Sequence, residues 1–221
     1  MKTAIVTGAS KGVGYETCRT LSNNGYRVIA VSRDFERMKS LVSENIEIYK
    51  MDITNFVEIE KFFQKYKDIS LDLLVNNAGG GSNPTRIINE SPENFNYAYS
   101  LNVSGPMYLS KLFTDNLSKS ENPTIIFISS LGGKVAYDGG GNYTNAKRAI
   151  GGLVDTMRLE YPMYGIKITE ICPGTIDTVD GEKREIALTA DDMSRAISWV
   201  AGLPKHVNVN YLEINHVSSR R

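Results

Sequence analysis

Short apolar runs alternate along the chain with longer segments in which apolar residues recur every three or four positions. The short runs are rich in β-branched residues, which is typical of strands buried on both faces of a parallel sheet. The longer segments are typical of amphipathic helices. We predict strands at residues 4–6, 26–31, 46–49, 71–75, 124–128, 166–171 and 207–214, and helices near residues 15–24, 34–43, 55–66, 92–101, 105–117, 142–161 and 190–202.

The order of these elements predicts the fold class. Strands that are separated by helices pair in parallel through right-handed crossovers. We therefore predict an α/β fold, a Rossmann-type doubly wound parallel sheet of about seven strands with helices on both faces. No repeat, low-complexity tract or linker interrupts the pattern, so we predict a single domain over residues 1–221. A chain of this length would bury about 70–75% of the surface that it exposes when unfolded.

Charge and composition exclude several classes of partner. Lys plus Arg and Asp plus Glu each number 25, and this balance does not favour nucleic acid or an anionic membrane. No apolar run approaches the roughly 18 residues that span a bilayer, and we expect no signal peptide because residues 1–6 lead directly into a strand. Cys18 and Cys172 are expected to be buried thiols of a reducing compartment, so we predict a cytoplasmic protein. His206 and His216 belong to no ligand-like cluster, and we predict no metal site.

A glycine-rich segment separates the first predicted strand from the first predicted helix. Residues 7–14 read Thr-Gly-Ala-Ser-Lys-Gly-Val-Gly. A tight turn there would let a pyrophosphate approach the backbone and the positive end of the helix dipole. A plain strand-to-helix turn could use the same glycines. The position directly after a strand and before a helix is the context that a dinucleotide-binding loop requires.

A second group of chemically active residues follows the strand at 124–128. Ser129 and Ser130 come directly after it, and Tyr143 and Lys147 stand four residues apart in the next helix. That spacing places the phenol and the ammonium on one helix face. A hydroxyl beside such a pair suits proton transfer to or from an oxygen. Alternatively, the two serines could be ordinary turn residues, and Tyr143 and Lys147 could lie on a solvated helix face. For Ser129 we favour the structural role.

Together these motifs resemble those of the short-chain dehydrogenase/reductase family, and the similarity covers nearly the whole chain. The matching features are the glycine motif Thr7-Gly8-x-x-x-Gly12-x-Gly14, Asn76-Asn77-Ala78-Gly79 after the fourth strand, the helix asparagine Asn102, Ser130 thirteen residues before Tyr143, Lys147, and Pro173-Gly174 with Thr178. The resemblance implies an oxidoreductase that transfers a hydride between a nicotinamide and a carbonyl or secondary-alcohol carbon of a small-molecule substrate.

The resemblance also implies a role for each member of a catalytic tetrad. Tyr143 would be the general acid in reduction and the general base in oxidation, and Ser130 would hydrogen-bond the substrate oxygen. Lys147 would hold the nicotinamide ribose and, with an oxidised nicotinamide, lower the pKa of Tyr143 from its usual value of about 10. Asn102 would keep a proton-relay water near Lys147, or else be a helix-bend residue bonded to backbone.

The end of the second strand predicts the choice of cofactor. An acidic residue there would bind the ribose 2′-hydroxyl of NAD, but Ser32 and then Arg33 occupy these positions. A guanidinium can bind a 2′-phosphate bidentately, and Lys11 could add a second cation, so we predict NADP(H). Alternatively, Arg33 and Lys11 could be solvent-facing loop charges. If the strand ended one position later, Asp34 would bind the ribose and favour NAD(H).

Asp52 resembles the acid that contacts adenine in the family. Alternatively, it could cap the N-terminus of the next helix. The complete set of predicted cofactor contacts is Gly8, Ser10, Lys11, Gly12, Val13, Gly14, Ser32, Arg33, Asp52, Ile53, Asn77, Ala78, Gly79, Tyr143, Lys147, Pro173, Gly174, Ile176 and Thr178.

The substrate is less well specified by the sequence. Residues 175–189 are few and charged where family members often carry a longer covering segment, which suggests a small or polar substrate, or one approached from an open face. Lys183 or Arg184 could bind a carboxylate, or both could be solvated. Residues 199–210 are similar to a family branch that acts on small hydroxy acids such as serine and 3-hydroxypropionate.

Two other functions stay open. The first is a non-catalytic, dinucleotide-sensing protein on the same fold, which would not need the tetrad. The second is an NAD-dependent dehydrogenase of small hydroxy acids, which would need it. An epimerase or dehydratase is a minor alternative that usually has a longer chain.

We also predict a homodimer or homotetramer. The helix at 142–161 carries apolar residues around much of its circumference, so it needs a second burial partner, and the family commonly packs it against a twofold mate. These residues are Ile150, Leu153, Val154, Met157 and Leu159.

Overall fold

Parallel strands form one seven-stranded sheet in a computed structural model that describes residues 1–80, 85–177 and 185–219. The strands are β1 (Lys2–Thr7), β2 (Tyr26–Ser32), β3 (Ile46–Lys50), β4 (Leu73–Asn76), β5 (Thr124–Ile128), β6 (Lys167–Pro173) and β7 (Tyr211–Ile214). The α-helices are α1 (Gly12–Asn23), α2 (Phe35–Met38), α3 (Phe56–Tyr66), α4 (Pro92–Tyr99), α5 (Gly105–Leu112), α6 (Thr114–Ser118), α7 (Gly141–Glu160) and α8 (Ala190–Gly202). The predicted fold class is confirmed.

The strand order creates the place where a site can form. The order is β3-β2-β1-β4-β5-β6-β7, and β1 pairs with both β2 and β4. The chain therefore winds outward from β1 in one direction and then, from β4, in the other. In such sheets the connections after β1 and β4 leave in opposite directions, which opens a crevice at the carboxyl ends of these strands.

Both faces of the sheet are buried, as the continuous apolar runs predict. Ala4 and Val6 of β1 point into a core shared with residues of α1 and α8. Ile5 points to the opposite face, into a core shared with α3, α5 and α7. Helices on both sides of a sheet whose central strands are buried are the doubly wound arrangement.

Several predicted boundaries were wrong. The predicted helix at 34–43 is a short α2 followed by a 3₁₀ turn at Lys39–Leu41, and a π-helical turn at Ser100–Ser104 separates α4 from α5. The predicted helix at 105–117 divides at Phe113. The last strand starts at Tyr211 rather than at residue 207, because the Asn208 side chain takes the place of strand backbone. Its Oδ1 accepts from the Ile168 N–H at 2.9 Å and its Nδ2 donates to the Ile168 carbonyl at 3.1 Å.

Candidate active site

A cavity of about 1040 Å³ lies along the carboxyl ends of β1, β4, β5 and β6. It is lined by most of the predicted cofactor contacts, namely Gly8, Ser10, Lys11, Gly12, Val13, Ser32, Arg33, Ile53, Asn77, Ala78, Gly79, Tyr143, Lys147, Pro173, Gly174 and Ile176. Ser130 belongs to the same lining. Gly14 and Asp52 lie outside the lining, and Thr178 lies outside the described residues. The fold thus brings motifs from four strand ends to one cavity.

The glycine loop lets α1 begin directly beside the end of β1. Gly8 has a φ of 71°, a left-handed conformation that glycine adopts without strain. A Cβ on Gly14 would collide with the Gly8 carbonyl and the Asn77 amide, so Gly14 serves close packing rather than the cavity lining. No side chain of the described residues caps α1 at Lys11. The first amides of the helix can therefore donate to an anion.

The end of β4 is locked onto this loop. The Thr7 hydroxyl accepts from the Asn77 and Ala78 backbone N–H groups at 3.1 and 3.0 Å. The Asn77 side-chain amide donates in return to the Thr7 carbonyl at 2.8 Å. These bonds hold the Asn-Asn-Ala-Gly segment beside the glycine loop, which fixes the floor of the cavity.

The last residue of β2 and the two residues after it have different surroundings. The Arg33 Nη1 donates to the Tyr97 hydroxyl at 2.7 Å and lies 3.7 Å from an Asp52 carboxylate oxygen. The Asp34 carboxylate instead caps α2, accepting from the Arg37 N–H at 3.2 Å. Ser32 and Arg33 line the cavity, whereas Asp34 does not. The acid that would favour NAD(H) is therefore engaged as a helix cap.

Asp52 is neither a helix cap nor a cavity-lining residue. Asn55 is the N-cap of α3, so the alternative for Asp52 was wrong. The Asp52 carboxylate accepts from the backbone N–H and the hydroxyl of Thr54, at 2.9 and 2.8 Å. Its ion pair with Arg33 places it behind that guanidinium.

Lys147 lies almost completely buried in the cavity wall. Its side chain is held by a hydrogen bond from Nζ to the Ile128 carbonyl at 2.9 Å, and the residue is 5% exposed. Burial lowers its pKa to about 8, although the nearby Cys172 and Glu170 act in the opposite direction. Nζ lies 5.8 Å from the centre of the Tyr143 ring, so the phenol and the ammonium share one site.

The surroundings of Tyr143 within the protein raise its pKa above the ordinary value. Burial raises it most, a hydrogen bond with Ser130 lowers it, and Tyr137 and Cys172 raise it further. Lys147 alone therefore does not produce the lowered pKa that we predicted from the sequence. That prediction also relied on the charge of an oxidised nicotinamide, and it stays a prediction for the cofactor complex.

Asn102 lies in the π-helical turn between α4 and α5. Its Nδ2 donates to the carbonyls of Gly80 and Ala98 at 2.7 and 2.8 Å, and its Oδ1 accepts from the Gly80 N–H at 3.1 Å. A Cβ built on Gly79 would lie 2.8 Å from Asn102 Oδ1 and 2.9 Å from Lys147 Nζ, so both side chains approach the same backbone. These bonds agree with the helix-bend alternative, and the water-relay role stays a prediction.

Ser129 differs from Ser130 in its contacts. It is buried, its N–H donates to the Ile171 carbonyl at 2.8 Å, and its hydroxyl donates to the Lys147 carbonyl at 3.2 Å. Ser129 therefore ties β5 to β6 and α7, and both serines belong to the cavity lining.

Comparison with known proteins agrees with this geometry. A family model described as short chain dehydrogenase matches residues 2–187. The chain belongs to the short-chain dehydrogenase family. The NADP-dependent 3-hydroxy acid dehydrogenase YdfG of Salmonella typhi is 30% identical over 236 residues, with 97% of this chain and 94% of that protein covered. The protein of the same name from Escherichia coli strain K12 is 29% identical over 234 residues, with the same coverage.

Solved structures of other proteins share the whole fold. An alcohol dehydrogenase from the archaeon Thermococcus sibiricus, complexed with 5-hydroxy-NADP, superposes with a TM-score of 0.92 at 27% identity, covering 100% of this chain and 99% of that one. The closed form of a serine dehydrogenase complexed with NADP⁺ gives a TM-score of 0.90 at 28% identity, with 99% and 96% covered. The family thus identifies this short-chain dehydrogenase as an oxidoreductase.

Sequence reasoning missed part of the cavity wall. Leu131, Val135 and Tyr137 line it from the loop between Ser130 and Tyr143, and their position between two predicted catalytic residues was an available signal. Glu213 and Ser219 line it from the carboxyl-terminal segment, which gave no such signal because their position depends on the pairing of β7 with β6. Lys183 and Arg184, the possible carboxylate ligands, lie outside the described residues.

Two general expectations concern the whole molecule. Within residues 1–80, 85–177 and 185–219, no group of three or more His, Cys, Asp or Glu side chains could hold a metal ion. In the same residues, every helix is too short or too polar to cross a membrane. Cys18 and Cys172 are both free and buried.

Proposed function

We propose that this short-chain dehydrogenase is an NADP(H)-dependent enzyme that interconverts a small 3-hydroxy acid or related secondary alcohol with its carbonyl form. The observation that carries the proposal is that Ser130, Tyr143 and Lys147 lie in the wall of the same cavity as the glycine loop. The names of the relatives support the substrate class, and so does the similarity of residues 199–210 to a branch that acts on small hydroxy acids.

The residues present fit a dinucleotide. The turn at Gly8 and the uncapped start of α1 would receive the pyrophosphate, while Ser32, Arg33 and Lys11 would bind the 2′-phosphate. Relatives named as NADP-dependent and structures complexed with NADP⁺ or 5-hydroxy-NADP support NADP(H) over NAD(H). The use of Asp34 as a helix cap supports the same choice.

When bound, the nicotinamide supplies the hydride to the substrate carbon or takes it away. In reduction, Tyr143 gives its proton to the developing alkoxide while Ser130 donates a hydrogen bond to the same oxygen. In oxidation, Tyr143 takes the alcohol proton. Lys147 stays largely charged at neutral pH because its pKa is about 8, and this charge favours the phenolate form of Tyr143. Asn102 holds the Gly79–Gly80 backbone beside Lys147, where we place the relay water.

The test is a panel of small 3-hydroxy acids, secondary alcohols and their carbonyl forms, screened for absorbance of the reduced nicotinamide with both cofactors. We expect turnover with NADP(H), and loss of turnover in Tyr143→Phe with cofactor binding retained. Tight NADP(H) binding without turnover of any member by the wild type would favour a dinucleotide-sensing protein instead.

The remaining proposals concern the state of the protein. We propose one domain, because a single sheet joins the described elements from β1 to β7. We propose a homo-oligomer: Leu159 at the end of α7 is 87% exposed and Met163 nearby is similarly exposed. Ile150, Val154 and Met157 are buried within the chain, so the apolar surface left for a partner is smaller than the sequence suggested. The two free, buried thiols support a reducing, cytoplasmic location.

A further inference from the structure

An ion pair with a buried carboxylate lies beside α7, near Gly151. Glu170, on β6, is 2% exposed, and its Oε2 lies 3.0 Å from the Lys134 Nζ. The Cys172 thiol donates to the other carboxylate oxygen at 3.3 Å. The Lys134 ammonium also lies 4.7 Å from the centre of the Tyr211 ring. A carboxylate so removed from water needs these partners, because an unpaired buried charge is strongly unfavourable.

The Lys134 ammonium and the Glu170 carboxylate both lie close to α7. A Cβ on Gly151 would lie 3.4 Å from the Lys134 Nζ and 3.7 Å from a Glu170 oxygen. Gly151 is one helical turn beyond Lys147 on α7, which itself is one turn beyond Tyr143. The ion pair therefore lies beside the helix that carries both residues, and Lys134 also belongs to the cavity lining.

The segment that Lys134 anchors forms one wall of the cavity. Residues 131–137, here called the wall loop, follow Ser130 directly and include three cavity-lining apolar side chains. The Arg148 side chain binds the loop backbone, with Nε donating to the Gly133 carbonyl at 3.1 Å and Nη2 to the Lys134 carbonyl at 2.6 Å. Glu170 is the second anchor, and it acts through a side chain rather than through the backbone.

We propose that Glu170 is a positioning residue for the reaction: through Lys134 it clamps the wall loop to the sheet, and from β6 it holds a carboxylate against α7, one helical turn beyond Lys147. There the carboxylate favours the charged form of Lys147, and this second part rests on the role of Lys147 in the proposed function. The first part does not, because it concerns only the position of the loop.

The sign of the electrostatic effect follows from the surroundings of Lys147. In the part of the chain that the structure describes, the titratable groups in and around this cluster include Tyr143 and Arg148 on α7, Glu170 and Cys172 on β6, Tyr211 and Glu213 on β7, and Lys134 and Tyr137 in the wall loop. Of these, Cys172 and Glu170 raise the pKa of Lys147 and so oppose the effect of burial. A neutral residue in place of Glu170 should therefore lower that pKa, and the ammonium should be lost at a lower pH.

The test compares Glu170→Gln with a matched control, Glu36→Gln, which removes a carboxylate from an exposed ion pair with Lys39. Lysine side chains labelled with carbon-13 report the Lys147 titration by NMR, with the signal assigned from Lys147→Met. We expect the Lys147 pKa to fall in Glu170→Gln and to stay unchanged in the control. In the reduction direction, the alkaline limb of the kcat–pH profile should move to lower pH in Glu170→Gln and stay in place in the control.

Hydrogen exchange tests the clamp without any turnover. The amides of Lys134 and Val135 donate to the Leu131 carbonyl at 2.8 and 2.9 Å, so their exchange reports the order of the wall loop. We expect exchange at least about tenfold faster in Glu170→Gln than in the control, since weakening the anchor favours local opening. Unchanged exchange would overturn the clamp.

A double variant keeps the proposal testable if Glu170→Gln does not fold. Replacing a buried ion pair by apolar residues of similar size is often neutral for stability, so Lys134→Met with Glu170→Leu should fold. It must show the faster loop exchange. Because it removes the Lys134 ammonium together with the carboxylate, this variant does not test the charge effect on Lys147. An unchanged Lys147 pKa in Glu170→Gln would overturn the electrostatic part. Absence of turnover in the wild type would count against the proposed function alone, because the NMR titration and the exchange rates need no substrate.

Discussion

Replacing Arg33 by alanine tests the proposed cofactor preference at the residue on which it depends. The Arg33 side chain lines the cavity, is 56% exposed, and donates one hydrogen bond from Nη1 to the Tyr97 hydroxyl. A guanidinium carries five N–H donors, so others remain for a 2′-phosphate. The hydrogen bond to the Tyr97 hydroxyl and the ion pair with Asp52 hold the guanidinium in place.

The expected magnitude follows from the type of bond. Charge-assisted hydrogen bonds contribute about 1.5–3 kcal/mol, which corresponds to about 10- to 150-fold in affinity. Because Arg33 is partly exposed and screened by solvent, we expect a loss near tenfold for NADP(H). NAD(H) has no phosphate there, so its affinity should change little. Lys11→Ala should give a smaller loss, since an exposed ammonium is better hydrated than a guanidinium.

The assay is titration of both cofactors by fluorescence or calorimetry at low and high salt. High salt should weaken NADP(H) binding more than NAD(H) binding, because only NADP(H) uses the screened charges. Arg37→Ala is the matched control: it removes an exposed guanidinium that pairs with Asp34 at 3.3 Å and does not line the cavity. Equal loss of both cofactors in Arg33→Ala would show that Arg33 is structural and would refute the assignment of NADP(H).

Three further predictions follow from the site and the surface. Tyr143→Phe should lower kcat by about 10²- to 10⁴-fold while NADP(H) affinity stays within a few-fold; near wild-type kcat would mean that another group transfers the proton. Lys147 has a folded-state pKa of about 8, below the ordinary value of a lysine, so wild type should gain roughly 3 kcal/mol of unfolding free energy relative to Lys147→Met as pH rises from 7 to 11. Denaturant titrations measure this difference, and a constant difference would contradict the buried ammonium. Light scattering at micromolar concentration should give a dimer or tetramer mass, and Leu159→Glu should reduce it; a monomeric wild type would exclude the proposed assembly.

The sequence predicted the sheet well because parallel strands buried on both faces must be apolar at consecutive positions. Residues 125–128 show this directly, and all of them are buried. The boundaries were less predictable where a side chain replaces backbone pairing. Asn208 occupies the edge of β6 with its amide, which no hydrophobic pattern reveals. The division of the helix at 92–101 from the next by a π turn was equally hidden.

The candidate site divides in the same way. Ser130, Tyr143 and Lys147 were predictable because helical spacing and adjacency to one strand end determine their positions. Glu170 was not, since it was read as one residue of a buried strand, and its partner Lys134 is 36 residues earlier in the chain. The fold brings the wall loop against β6 and so brings the two together, with Tyr211 of β7 beside them. A contact between a loop and a strand that are distant in the chain depends on tertiary structure, and it leaves no local pattern in the sequence.

The pKa values of the two central residues limit how the site can work in each direction. Burial raises the pKa of Tyr143 above its ordinary value and lowers that of Lys147 to about 8. In the chain alone, rising pH therefore removes the proton of Lys147 before that of Tyr143. Near neutral pH the site holds a protonated phenol beside an ammonium, which is the state that carbonyl reduction needs. Alcohol oxidation needs a phenolate while Lys147 is still charged, so this order of deprotonation must be reversed. The positive charge of an oxidised nicotinamide would act in that direction, and so would the proposed effect of Glu170 on Lys147.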